Sequence, residues 1–220
     1  MADQRTLVLL GGAQEGPEVW DAVRAELEGA FSVMTPDLGA QLAGGSDGSA
    51  GDGFSLETVA AEVAWSLPDV GASSAVVCGV GVGAMVGMEL AAGQPERVEE
   101  LVLVTRRVAV SPLLMSLPAV VVRLLPAARV QRLGAPRAQV IALLDQVRPV
   151  DFRPLAGRVA APATVLCGAR DRNNRHPSEV LARALPAGRM ELVAGAGPSW
   201  VRDSPQLLAE RLLALAAPPG

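Results

Sequence analysis

Few side chains of this sequence can carry a reaction. Its nineteen basic residues are all arginine, so there is no lysine for a Schiff base or for a phosphate-binding loop. Tyrosine is absent and His176 is the sole histidine. General acid–base work therefore falls to carboxylates and one imidazole. The stretch most like an active-site turn is Val76-Val77-Cys78-Gly79-Val80-Gly81-Val82-Gly83-Ala84-Met85. A β-branched run enters a glycine turn there, and an apolar helical stretch leaves it. In that strand–turn–helix context a strained turn lifts a nucleophile above a sheet. The central residue is Gly81, which has nothing to attack with, so any reaction must proceed without an acyl-serine.

The elements that would position these groups follow from the apolar pattern. Strands are predicted at Thr6–Leu10, Phe31–Thr35, Ser74–Cys78, Leu101–Thr105, Ala163–Cys167 and Met190–Val193. Helices are predicted at Pro17–Leu27, with proline in its first turn, at Leu56–Leu67 behind an N-cap Ser55, and at Val82–Ala92. Two more are predicted at Pro177–Leu185 and Pro205–Ala216. Such alternation implies an α/β fold: a mostly parallel six-stranded sheet with helices on both faces and right-handed crossovers. Ligands bind such sheets outside the carboxyl ends of the strands. Residues 106–150 interrupt the alternation after the fourth strand, so they are expected to form a small helical lid within one domain spanning 1–220. The alternative for that insertion is a helical pair burying its own apolar stripe.

Half of the 220 residues are hydrophobic, enough for one well-buried core. No uninterrupted apolar stretch is long enough to span a bilayer, and Met1-Ala2-Asp3-Gln4 lacks the basic start of a secretory signal. A cytoplasmic, non-membrane protein is expected. Cys78 and Cys167 each end a predicted strand and read as small buried hydrophobes, so neither a disulfide nor a metal site is expected. Residues 1–100 carry 16 acidic and 3 basic side chains, net −13, whereas 101–220 carry 7 and 16, net +9. The plain reading is two differently charged surfaces. The sharper one is that arginines over 106–175 attract an anionic ligand. A chain of net charge −4 with few aromatics is a poor nucleic-acid binder.

In order and spacing, five segments resemble the α/β-hydrolase family over nearly the whole chain. Leu9-Leu10-Gly11-Gly12-Ala13 is similar to its oxyanion-loop segment, and Thr35-Pro36-Asp37-Leu38-Gly39 to the segment after its next strand. Pro95-Glu96-Arg97-Val98, followed by Leu101–Val104, resembles its link into the following strand. Val165-Leu166-Cys167-Gly168-Ala169-Arg170-Asp171 is similar to the strand and turn delivering the triad acid, and Gly195-Ala196-Gly197 to the turn before the triad histidine. On this resemblance the nucleophile slot holds Gly81, the histidine slot holds Pro198, and Asp171 stands at the acid slot. A triad needs its base to take the nucleophile's proton while the acid orients the imidazole. With both partners replaced, ester hydrolysis by a triad is not expected. His176, five residues beyond Asp171, reads more simply as a surface or structural histidine than as a substitute base.

The resemblance also implies an oxyanion hole from the backbone N–H groups of Ala13 and Val82, which the two replacements leave in place. The expected function is non-hydrolytic chemistry (cyclisation, elimination or isomerisation) on an apolar, carbonyl-containing small molecule beneath the lid. Asp171 or Glu15 would move the proton. Gly12, Gln14, Gly81, Arg106, Met115, Asn173 and Trp200 are the expected substrate contacts, and no cofactor is expected. A catalytically silent binding or scaffold protein is the rival from another class, and oligomeric state is left open. Gly79-Val80-Gly81-Val82-Gly83-Ala84 also satisfies the dinucleotide pattern G-x-G-x-x-[GA]. Its companion acid should end the next strand, however, whereas Glu99 and Glu100 precede Leu101–Thr105.

Overall fold

The computed structural model describes residues 4–11, 17–38, 55–104 and 152–216. The 106–150 insertion lies outside them. Apolar runs become the six strands β1 (Thr6–Leu10), β2 (Ser32–Met34), β3 (Ala75–Val80), β4 (Val98–Val104), β5 (Ala163–Gly168) and β6 (Gly188–Val193). The helices are α1 (Pro17–Leu27), α2 (Leu56–Ser66), α3 (Val82–Gly93), α4 (Arg153–Ala156), α5 (Arg172–Ala184), α6 (Trp200–Asp203) and α7 (Gln206–Ala216). All strand pairs are parallel, in the order β2-β1-β3-β4-β5-β6.

Alternate strand side chains feed two apolar clusters, one on each face. Val8, Leu10, Val77, Leu101, Leu103 and Val165 pack beneath α2, α3 and α5. Leu7, Leu9, Val76, Cys78, Val102 and Leu166 pack against Trp20, Val23 and Leu27 of α1 and Leu208 and Leu212 of α7. Burial on both faces explains why β1, β3 and β5 read as continuous apolar runs instead of alternating ones. Ser55 caps α2 as expected: its hydroxyl accepts the Thr58 N–H at 3.0 Å.

This order reverses direction between β1 and β3. From β1 the chain winds to β2 on one side, and from β3 to β4 on the other. That makes the crevice above β1 and β3 the topological switch point, where ligands of open α/β sheets bind. The turn containing Gly81 leaves β3 there. The dinucleotide-binding order 3-2-1-4-5-6 is not the order seen, so the glycine pattern belongs to this sheet's own packing.

Several boundaries move for physical reasons. Strand β4 begins at Val98, three residues before the expected Leu101, because Val98 pairs with Ala75 and Glu100 with Val76, so Glu99 and Glu100 lie within the strand; β3 runs to Val80, two residues past Cys78, because Val80 pairs with Val104. Strand β6 begins at Gly188, two residues before the expected Met190, because Gly188 already pairs with Ala163. Helix α5 begins at Arg172, not Pro177, because Asp171 caps it and Pro177 falls inside it. The short helices α4 and α6 lack the periodic stretch that would announce them.

Candidate functional site

The site is built on three turns at the carboxyl edge of the sheet. In the first, β3 passes through Gly81 into α3. Gly81 has φ 59° and ψ −114°, a conformation that L side chains rarely adopt. Its N–H donates to the Val104 carbonyl at 3.3 Å, and its carbonyl accepts from Ala84 N–H at 3.2 Å. A Cβ placed on residue 81 would meet nothing within 4 Å among the described residues. The flanking glycines have the opposite surroundings. A Cβ on Gly79 would lie 2.5 Å from Ala84 Cα, and one on Gly83 would strike the Leu10 carbonyl. Helix α3 thus lies directly on β3 and on the end of β1, and of these three glycines residue 81 alone is clear of the other described residues.

Val82 is the first residue of α3. The first N–H groups of a helix have no partner within it, and they lie at the positive end of its dipole. Cys78, near the same turn, is no substitute nucleophile, because burial pushes its thiol up to about 12.

The second turn follows β5 and carries Asp171, which is 3% exposed. The carboxylate caps α5: Oδ1 accepts the Asn174 backbone N–H at 3.2 Å and Oδ2 accepts Asn174 Nδ2–H at 2.6 Å. The third turn, 194–199, follows β6 and contains Pro198. It is pinned to the second. The N–H of Arg170 donates to the Ala196 carbonyl at 2.9 Å, its guanidinium donates to the Gly195 carbonyl, and a Cβ on Gly168 would come within 2.7 Å of both the Ala196 and Gly197 carbonyls. Pro198 itself is exposed.

The expected site residues divide. Gly81, Val82, Asp171 and Pro198 all lie on these carboxyl-edge turns. Gly12, Ala13, Gln14, Glu15, Arg106 and Met115 lie outside the described residues. Two further expected ligand contacts lie among the described residues. Trp200 is 4% exposed and packs in the apolar cluster beneath α1 and α7, because α6 turns its indole inward. Asn173 faces solvent, and its neighbour Asn174 is the asparagine buried against Asp171. His176 is exposed on α5, as a surface histidine would be. Asn174 was the residue hidden from the sequence; its signal is the three-residue step from Asp171, a capping spacing. Among the described residues no group of His, Cys, Asp and Glu could hold a metal ion, and no helix is long and apolar enough to cross a membrane.

No protein-family model matches the chain. Over 98 residues it is 38% identical to the pimeloyl-acyl-carrier-protein methyl ester esterase of Aromatoleum aromaticum, a match covering 44% of this chain but only 36% of that esterase. A longer match, 28% identical, joins 84% of this chain to 80% of RutD from Klebsiella pneumoniae, a protein to which carbamate hydrolysis is ascribed. Among solved structures, a hydrolase from Pseudomonas aeruginosa shares the fold with a TM-score of 0.72 and 20% identity, over 99% of this chain and 92% of that one.

Proposed function

We propose that this chain, which has the α/β-hydrolase fold, acts on an apolar carbonyl compound at the switch-point crevice without any covalent acyl intermediate. The observation that carries the reading is residue 81: the tight turn from β3 into α3 holds glycine there, and no described residue comes within 4 Å of where its Cβ would stand. Such a turn with no nucleophile suits a ligand seated where an attacking side chain would stand. Its carbonyl oxygen would lie at the Val82 N–H, a donor fixed by α3 and aimed before any charge develops. Such donors stabilise an enolate as well as a tetrahedral oxyanion, which fits elimination, isomerisation or cyclisation. The esterase and the carbamate hydrolase among the relatives are named for hydrolysis, so a test of hydrolysis belongs beside the test of binding.

The second reading, a binding protein without turnover, draws on Asp171. A carboxylate with both oxygens engaged by its own helix is a poor proton carrier. One set of assays separates the possibilities. Carbonyl-containing metabolites are screened for binding by thermal shift and for conversion by mass spectrometry, alongside chromogenic phenyl esters. The proposal expects binding and a non-hydrolytic product, with no phenol release above buffer. Binding without product would establish the second reading, and ester turnover by purified protein would overturn both. Val82→Pro removes the N–H while leaving a residue suited to the first helical position. It should weaken binding of the carbonyl compound about tenfold, the loss of one directed hydrogen bond.

A further inference from the structure

Asp171, Asn174 and Ser178 form a buried polar row along the first two turns of α5, at 3%, 5% and 0% exposure. Asn174 holds both oxygens of Asp171, one through its backbone and one through its side chain. Ser178 Oγ donates to the Asn174 carbonyl at 2.6 Å, fixing the backbone from which that side chain reaches. On the other side, Cys167 Sγ lies 3.9 Å from the Asp171 carbonyl oxygen. Buried polar groups must be satisfied, and a carboxylate most of all. The two contacts differ in kind. Any residue at 174 has a backbone N–H to cap the helix, but only a side-chain donor of this length can also claim Oδ2.

We propose that Asn174 is a positioning residue that turns Asp171 inward, withdrawing its carboxylate from the neighbouring 194–199 turn and making it a structural cap. The chemistry at the switch-point crevice then does not pass through Asp171. This goes beyond the function proposed above and stands on the geometry of α5. It rests only on the acid turn lying against the turn that holds residue 198, which the Arg170–Ala196 and Gly168 contacts establish.

The test uses an imidazole as a local reporter. Pro198→His places one on the adjoining turn, and His176→Gln removes the only other histidine signal. The titration of the introduced imidazole is followed by NMR. With Asn174 present, it should titrate within the ordinary histidine range. Arg170, which binds the same turn, and Arg202 and Asp203, whose N–H groups donate to the Ser199 carbonyl, act on it in both backgrounds, so only a change on adding Asn174→Leu is assigned to Asp171. Adding Asn174→Leu, of similar size but without a side-chain donor, frees Oδ2. The imidazole should then titrate about one unit higher, since a nearby carboxylate favours the imidazolium. A carboxylate partner already evident with Asn174 intact would overturn the proposal, and so would no change on adding Asn174→Leu. Asn174→Ala serves as a second variant, and circular dichroism verifies that each is folded. In the unaltered protein, the Asn174 side-chain amide protons should exchange slowly with solvent. Exchange as fast as that of an exposed asparagine would also overturn the proposal. None of these readouts depends on the native ligand.

Discussion

The two edges of the sheet are held together by different means. At the amino edge, charged side chains bridge the strands. Arg5 binds Glu99 at 2.9 Å and reaches the Leu215 carbonyl at 2.6 Å, Ser74 donates to the other oxygen of Glu99 at 2.8 Å, and Arg189 donates to Thr164 Oγ1 at 2.9 Å. At the carboxyl edge, backbone lies on backbone through Gly79, Gly83 and Gly168, and the carboxylate of the acid turn is a buried cap, with the exposed Arg170 guanidinium adding one contact to the Gly195 carbonyl. Exposed pairs give and re-form, whereas close-packed backbone cannot. The edge that carries the crevice is the one built to resist displacement, so substitutions there should be the most damaging.

The sharpest way to break the contrast is Gly83→Val. Its side chain would be driven into the Leu10 carbonyl, with backbone on both sides and nothing flexible to yield. A loss of about 3 kcal/mol or more is expected, at the upper end of overpacking, and urea denaturation measures it. Asp171→Ala should rank second, at about 2–3 kcal/mol. It removes a helix cap and leaves the buried Asn174 amide without this acceptor. If it proved neutral, the acid turn would not be the rigid element described.

At the amino edge, Glu99→Gln should cost less than about 1 kcal/mol. Arg5 and Glu99 are about a third exposed and their attraction is screened, so the small difference should shrink further in high salt. A loss equal to that of Asp171→Ala would abolish the distinction between the edges.

The smallest effect is expected midway between them, at Glu89 on α3. Burial, and secondly the charge of Glu57, raise its pKa above 4.5, while Arg158 opposes them. A carboxyl group whose pKa rises on folding favours the native state when protonated, and that contribution is lost as pH rises through the folded pKa. Glu89→Gln should therefore stabilise the protein slightly at pH 7, with the gain disappearing below pH 4.5. Paired urea titrations at the two pH values check the sign.

What could be read from the chain followed from whether the deciding interaction was local. Strands β1, β3 and β5 are apolar runs buried on both faces, and they stood out as such. Ser55 announced the cap of α2 by its place just ahead of the helical stretch. The glycine triplet at 79, 81 and 83 was visible, but not its division of labour, because that depends on Leu10, far away in sequence. The acid turn was read to Asp171 and no further. Pro177 has the look of a helix start, which obscured the Asp171–Asn174 cap that begins the helix five residues earlier. Trp200 stands next to the 194–199 turn in the sequence, and its burial in the cluster beneath α1 and α7 could not be read from that position. Whether its indole faces the crevice or the core is decided by α6 and α7, and no local pattern encodes that.

The contact between Gly83 and the end of β1 also bears on motion. A helix separated from its sheet by long side chains can slide by small rotamer changes spread over many residues. Helix α3 has no such layer at its first turn, so it cannot shift along β1 and β3 without prising two backbones apart. Opening the base of the crevice would require the cooperative loss of β1, β3 and α3 together, a near-global event. The floor of the crevice therefore behaves as a fixed template.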